Sequence, residues 1–129
     1  MPQITLEYSS NLEGEPKSTF EKFFSELHNL LTETLGIDPL NCKSRWISRN
    51  DYYIANGDYR HAFAHLEIKT LNRHDPAKLK IVGHSALELL REFYNESSAG
   101  KWFQPSVVIT EMNREYYFKI PTGEIKGGE

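Results

Sequence analysis

The sequence predicts an α+β fold, a four-stranded mixed sheet with two helices on one face. Three observations predict it. Apolar and polar residues alternate over residues 3–8, as in a strand with one buried face. Two longer segments repeat apolar residues at intervals of three and four, the stripe of a core-facing helix. Breakers and turn residues separate the elements in the order β-α-β, a turn, and β-α-β again, a duplication of architecture without a clear sequence repeat.

In the first strand Ile4, Leu6 and Tyr8 share one face, and Gly14 and Pro16 end it. Phe20, Phe23, Phe24, Leu27, Leu30, Leu31 and Leu35 form the first helical stripe. Ser18 with Glu21 three residues on reads as a capping box, Gly36 as a left-handed C-cap, and Pro39 prevents the helix from resuming. A second strand fits residues 42–48. Asn56-Gly57-Asp58 then signals a turn, read as a hairpin into a third strand over 62–69. Asp75-Pro76 opens the second helix, whose stripe is Leu79, Val82, Ala86, Leu89, Leu90 and Phe93. A fourth strand is expected over 107–112. Residues 1–120 read as a single domain and 121–129 as a polar tail. Each parallel pair joined by a helix should be a right-handed β-α-β unit. The sheet face away from the helices is expected to be apolar enough to drive self-association.

At 129 residues the chain is long enough for one domain with an unstapled core. A net charge of −3 argues against a general nucleic-acid or membrane-surface binder, and no apolar run approaches a membrane span. The lone Cys42 excludes a disulfide framework, and the first ten residues lack a signal-peptide pattern, so the expected setting is the cytosol. His61 and His65 lie roughly 13 Å apart along one strand, too far to share a metal ion. No metal site is expected, and no phosphate-binding glycine pattern occurs.

Pro2 carries the most chemical information. Once the initiator methionine is removed, its ring nitrogen is a secondary amine fixed to the first strand, a compact base. Burial and nearby cations both lower the pKa of such an amine. If Met1 stays attached, the same nitrogen is a non-basic amide. Lys43, Arg45 and Arg49 share one face of the second strand, and Arg73 lies between the third strand and the second helix, a suitable place for a carboxylate clamp. The same residues also fit an ordinary Met-Pro beginning and a solvated basic strand face.

The opening Met1-Pro2-Gln3-Ile4-Thr5-Leu6-Glu7-Tyr8-Ser9-Ser10-Asn11-Leu12 resembles that of the 5-carboxymethyl-2-hydroxymuconate isomerase family of the tautomerase superfamily. Further similarity lies in Ser44-Arg45, in Phe63-Ala64-His65-Leu66, in Arg73, and in the Glu111–Lys119 segment with its Phe118-Lys119. The resemblance implies a duplicated β-α-β tautomerase-like fold that assembles as a homotrimer, with active sites near subunit boundaries. It implies Pro2 as general base, Arg45, Lys43 and Arg73 as binders of a small-molecule carboxylate substrate, and no cofactor. The implied reaction moves a proton along an unsaturated 2-hydroxy or 2-keto acid, as in homoprotocatechuate breakdown. Two departures stand out. Lys43 occupies a place where the family usually has arginine, and Leu71-Asn72-Arg73 replaces a frequent Ala-Gly-Arg in a turn one residue shorter. Two other readings remain at this stage, a non-catalytic trimer of the same fold and a ferredoxin-like binding module.

Overall fold

The computed structural model describes residues 1–12 and 14–123. Four strands, β1 (Gln3–Ser9), β2 (Lys43–Arg49), β3 (His61–Leu71) and β4 (Trp102–Met112), form one sheet in the order β2-β1-β3-β4. Pairs β1–β2 and β3–β4 are parallel and the central pair β1–β3 is antiparallel, so the sheet is mixed. Helices α1 (Lys17–Leu35) and α2 (Pro76–Phe93) supply the two crossovers.

The expected hairpin between β2 and β3 does not form, because β1 lies between them. The turn signal itself was sound: Gly57 donates to the Ile54 carbonyl at 2.8 Å with φ of 83°. A side chain there would also press on the Tyr53 ring, with Cε1 only 2.8 Å from an added Cβ. The turn belongs to a link that carries the chain past the end of β1. Asn11 Nδ2 anchors that link by donating to the His61 carbonyl at 2.8 Å. The ferredoxin-like alternative also fails here. That fold splits its β-α-β unit with an intervening strand, whereas β1 and β2 are immediate neighbours.

The core lies between the helices and one sheet face. Ile4, Leu6 and Tyr8 of β1 and Ala62, Ala64, Leu66 and Ile68 of β3 meet Phe20, Phe23, Phe24, Leu27 and Leu31 of α1 and Val82, Ala86 and Leu90 of α2. Trp46 of β2 stacks on Phe20 with centroids 5.0 Å apart and on Phe24 at 5.6 Å. Tyr94 is fully buried, in edge contact with Phe93 and Phe103. The Gly36 cap forms as expected, with φ of 70° and its N–H bonded to the Thr32 carbonyl. Asp75 caps α2 by accepting from the Ala77 N–H at 3.0 Å. The capping box at Ser18 does not form. Helix α1 starts at Lys17 behind Pro16, leaving Ser18 inside the first turn, and the Pro16 carbonyl takes the Thr19 and Phe20 N–H groups.

Strand β4 starts five residues earlier than expected. Pro105 obscures it in the sequence, yet β4 is an edge strand, where a missing N–H is tolerated. The sheet's outer face departs further from expectation. Its rows are filled mainly by Gln, Thr, Glu, Lys, Arg, His and Ser, with Ile47, Phe63, Leu71, Trp102, Val108 and Met112 as the apolar exceptions. Several of these polar groups satisfy one another: Arg49 bonds Glu7 at 2.7 Å, His65 bonds Ser106 at 2.7 Å, and Thr110 donates to Glu67 at 3.0 Å. Polar residues therefore outnumber apolar ones on this face. Among the described residues no helix is long and apolar enough to cross a membrane. Of the expected tail, residues 124–129 lie outside the described residues.

Candidate active site

Sheet topology gathers the sequence-predicted site residues at one end of the molecule. Pro2 is buried just before β1. Because β2 runs parallel to β1 with Gln3 opposite Lys43, the start of β2 lies beside the start of β1. The Lys43 backbone N–H donates to the Pro2 carbonyl at 3.3 Å. Strand β3 runs the other way, with Gln3 opposite Lys69, so its C-terminal end arrives at the same place. Arg73 sits in the turn just after it, with its backbone N–H bonded to the Leu71 carbonyl at 2.9 Å. One parallel and one antiparallel neighbour thus bring Pro2, Lys43 and Arg73 to a common sheet end.

Arg45 lies two residues further along β2, opposite Thr5. It is exposed on the sheet's outer face, where its guanidinium donates to Gln3 Oε1. Arg49 stands apart from this group. Its guanidinium is committed to Glu7, whose hydrogen bond and charge hold it more firmly in the charged form. The amides at the start of α2 are partly occupied as well, since the Asp75 carboxylate takes the Ala77 N–H.

Pro2 follows Met1 through a peptide bond, so in this form its nitrogen is an amide. Met1 is completely buried. Among the described residues, clefts of about 360, 280, 390 and 470 Å³ are lined by residues other than Pro2, Lys43, Arg45 and Arg73. The first lies between α1 and the end of α2, and the second under the tyrosine-rich 50–60 link. In this form Pro2 and Met1 are both buried.

Sequence reasoning missed two further polar residues at this sheet end. Asn41 is 1% exposed, closing the short 3-10 turn before β2, and Thr70 of β3 is 0% exposed. Among the described residues, neither Asn41 Nδ2 nor Thr70 Oγ1 has a hydrogen-bond partner. It also missed a contact from the far end of the chain: Lys119 Nζ donates to Asn41 Oδ1 at 3.0 Å. Nothing in periodicity or composition marks a polar residue as buried, so these signals needed coordinates.

His28 of α1 shares a 2.7 Å hydrogen bond with Ser44 of β2 on the helix side of the sheet. Burial lowers its pKa below the ordinary 6.5, which keeps the imidazole neutral.

Comparison with known proteins places this arrangement. Among curated proteins none matches the sequence. A solved 5-carboxymethyl-2-hydroxymuconate isomerase from Deinococcus radiodurans R1 shares the fold at a TM-score of 0.81 and 21% identity, over 94% of this chain and 90% of that one. A solved 5-carboxymethyl-2-hydroxymuconate delta-isomerase superposes at 0.74 with 16% identity, over 94% and 89% of the two chains. A fused 4-OT symmetric trimer superposes at 0.69 with 8% identity, over 97% and 94%. At such identities these likenesses show the fold alone. The sequence carries the rest, because the family model for 5-carboxymethyl-2-hydroxymuconate isomerase matches residues 2–122. That span begins at Pro2 and runs past Lys119, through every residue gathered at this sheet end, and the chain belongs to the 5-carboxymethyl-2-hydroxymuconate isomerase family.

Proposed function

We propose that this isomerase shifts a proton within an unsaturated 2-hydroxy or 2-keto carboxylic acid, with Pro2 as general base and without a cofactor. The observation that carries the reading is the convergence of a buried proline and the cations Lys43 and Arg73 on one sheet end, with Arg45 one step outward. The substrate is a dienol polycarboxylate: 5-carboxymethyl-2-hydroxymuconate, for which the family is named, carries three carboxylates, and 2-hydroxymuconate is its dicarboxylate analogue.

Removal of Met1 has two effects in this scheme. It turns the Pro2 nitrogen from an amide into a secondary amine, and it vacates the buried volume that Met1 fills. Limited solvent and neighbouring cations both disfavour the protonated amine, lowering its pKa toward the working pH. The neutral amine takes the proton at one position and returns it at another. Meanwhile Lys43, Arg45 and Arg73 hold carboxylates and stabilise oxyanion charge as it develops.

The functional unit in this proposal is a homotrimer, as in the fused 4-OT symmetric trimer of like fold, with the outer sheet face turned toward neighbouring copies. Given that face's composition, the contacts between copies would be largely polar.

The test is ultraviolet-monitored ketonisation of 2-hydroxymuconate by protein lacking Met1, without added metal or cofactor. Enzyme-dependent turnover is expected. A rate equal to the buffer rate at high enzyme concentration would remove the proposal.

A further inference from the structure

Asn41 holds an unspent hydrogen-bond donor next to two positive charges. The residue is 1% exposed, and among the described residues its Nδ2 has no partner. Lys119 fixes which way the amide faces. An ammonium can only donate, so the atom it meets at 3.0 Å must be Oδ1, and the NH₂ group is left on the other side. The Lys43 ammonium donates to the Asn41 backbone carbonyl at 3.3 Å. Among the described residues, no carboxylate lies within ion-pair distance of either lysine.

A buried N–H donor without an acceptor is costly, and native structures rarely keep one unless a ligand or water completes it. Here the residue that carries the donor already takes two ammonium groups, Lys119 on its side-chain oxygen and Lys43 on its backbone carbonyl, so the favoured acceptor is an anion. Its place relative to the proposed base follows from strand register. Gln3 faces Lys43 and the Lys43 N–H is bonded to the Pro2 carbonyl, so Asn41, two residues before Lys43, lies at the same sheet end as Pro2. Removal of the buried Met1 opens space at that sheet end.

We propose that Asn41 binds a carboxylate of the substrate through Nδ2, that Lys43 adds charge to this seat, and that Lys119 is a positioning residue that sets the amide orientation. This rests on the isomerase reading above and deepens it. Arg73 and Arg45 serve the remaining carboxylate groups, so the Asn41 seat is what makes the site select a di- or tricarboxylate over a monocarboxylate.

The decisive variant is Asn41→Asp. It keeps the shape and the acceptor for Lys119 but replaces the free donor with a carboxylate oxygen. Its KM for 2-hydroxymuconate should rise about tenfold or more, with kcat and the KM for the monocarboxylate 2-hydroxypenta-2,4-dienoate within about twofold of the parent. An equal change for both substrates, or none for either, overturns the seat. Should Asn41→Asp fail to fold, Lys119→Met removes the orienting donor and should give the same selective rise in KM, which Lys119→Arg should reverse. An indiscriminate loss in Lys119→Met, or no rescue by arginine, overturns the positioning role. If the parent protein turns over neither substrate, the isomerase reading fails by itself. The seat is then tested by calorimetry with cis,cis-muconate: weaker binding to Asn41→Asp than to the parent supports it, and equal or undetectable binding to both overturns it.

Discussion

The backbone N–H of Lys43 is bonded to the carbonyl of Pro2. This single contact of the parallel β1–β2 pair ties the proposed base to the first cation of the site, across the whole of α1. The position of Lys43 is thus set by sheet register, while its charge is carried on a flexible stem. An arginine there would add a bidentate fork for a carboxylate. Lys43→Arg should therefore keep kcat and lower KM for the dicarboxylate a few-fold. Lys43→Ala should raise KM. A rise in KM on going to arginine would show that lysine's compact ammonium is the required group.

Arg73 reaches the same sheet end by the antiparallel register of β3. A charge-assisted contact to a carboxylate contributes about 2 kcal/mol, so Arg73→Ala should lower kcat/KM roughly thirtyfold. A loss confined to KM marks Arg73 as a binder of ground and transition states alike. A loss in kcat marks it as a stabiliser of developing charge. An unchanged kcat/KM would place Arg73 outside the site.

The His28–Ser44 pair predicts a pH dependence of stability. Burial lowers the folded-state pKa of His28 below 6.5, so in the window just beneath 6.5 the unfolded chain binds more protons than the folded one. Its stabilising contribution is complete above that window and declines as pH falls through it. Thermal melts at pH 7.5 and at pH 5 should show a smaller drop for His28→Gln than for the parent. An identical drop would assign the acid sensitivity to other groups.

Tyr94 carries a cost in its buried hydroxyl. Burial raises the phenol pKa strongly, so the group stays neutral, yet among the described residues its oxygen has no hydrogen-bond partner. Tyr94→Phe removes the orphan and keeps the ring contacts with Phe93 and Phe103, so it should be neutral or stabilising by up to about 1 kcal/mol. A clear fall in Tm would mean that the hydroxyl is satisfied in solution.

Local chemistry made much of the fold legible. The alternation of Ile4, Leu6 and Tyr8, the left-handed site at Gly36 and the Asp75-Pro76 cap each act within a few residues, and each forms as read. Strand order was not legible, because Asn56-Gly57 specifies a reversal of the chain and not which strand lies beside which. The outer face was misjudged for a related reason: its character depends on which alternate residues of four strands line up, and that is a property of register. At the candidate site, Pro2, Lys43 and Arg73 could be named because their chemistry is visible in their type. Asn41 could not, because its interest comes from burial and from a lysine 78 positions away.

The central claim is that a free Pro2 amine does the proton transfer. The most direct test takes protein with and without Met1, each verified by intact mass, through the 2-hydroxymuconate assay across pH. Turnover should belong to the Met1-free form and should rise with pH through one ionisation, as a neutral amine is required. It should be abolished by acetylation of the amino terminus. Equal turnover by both forms, or activity surviving acetylation, would contradict the account.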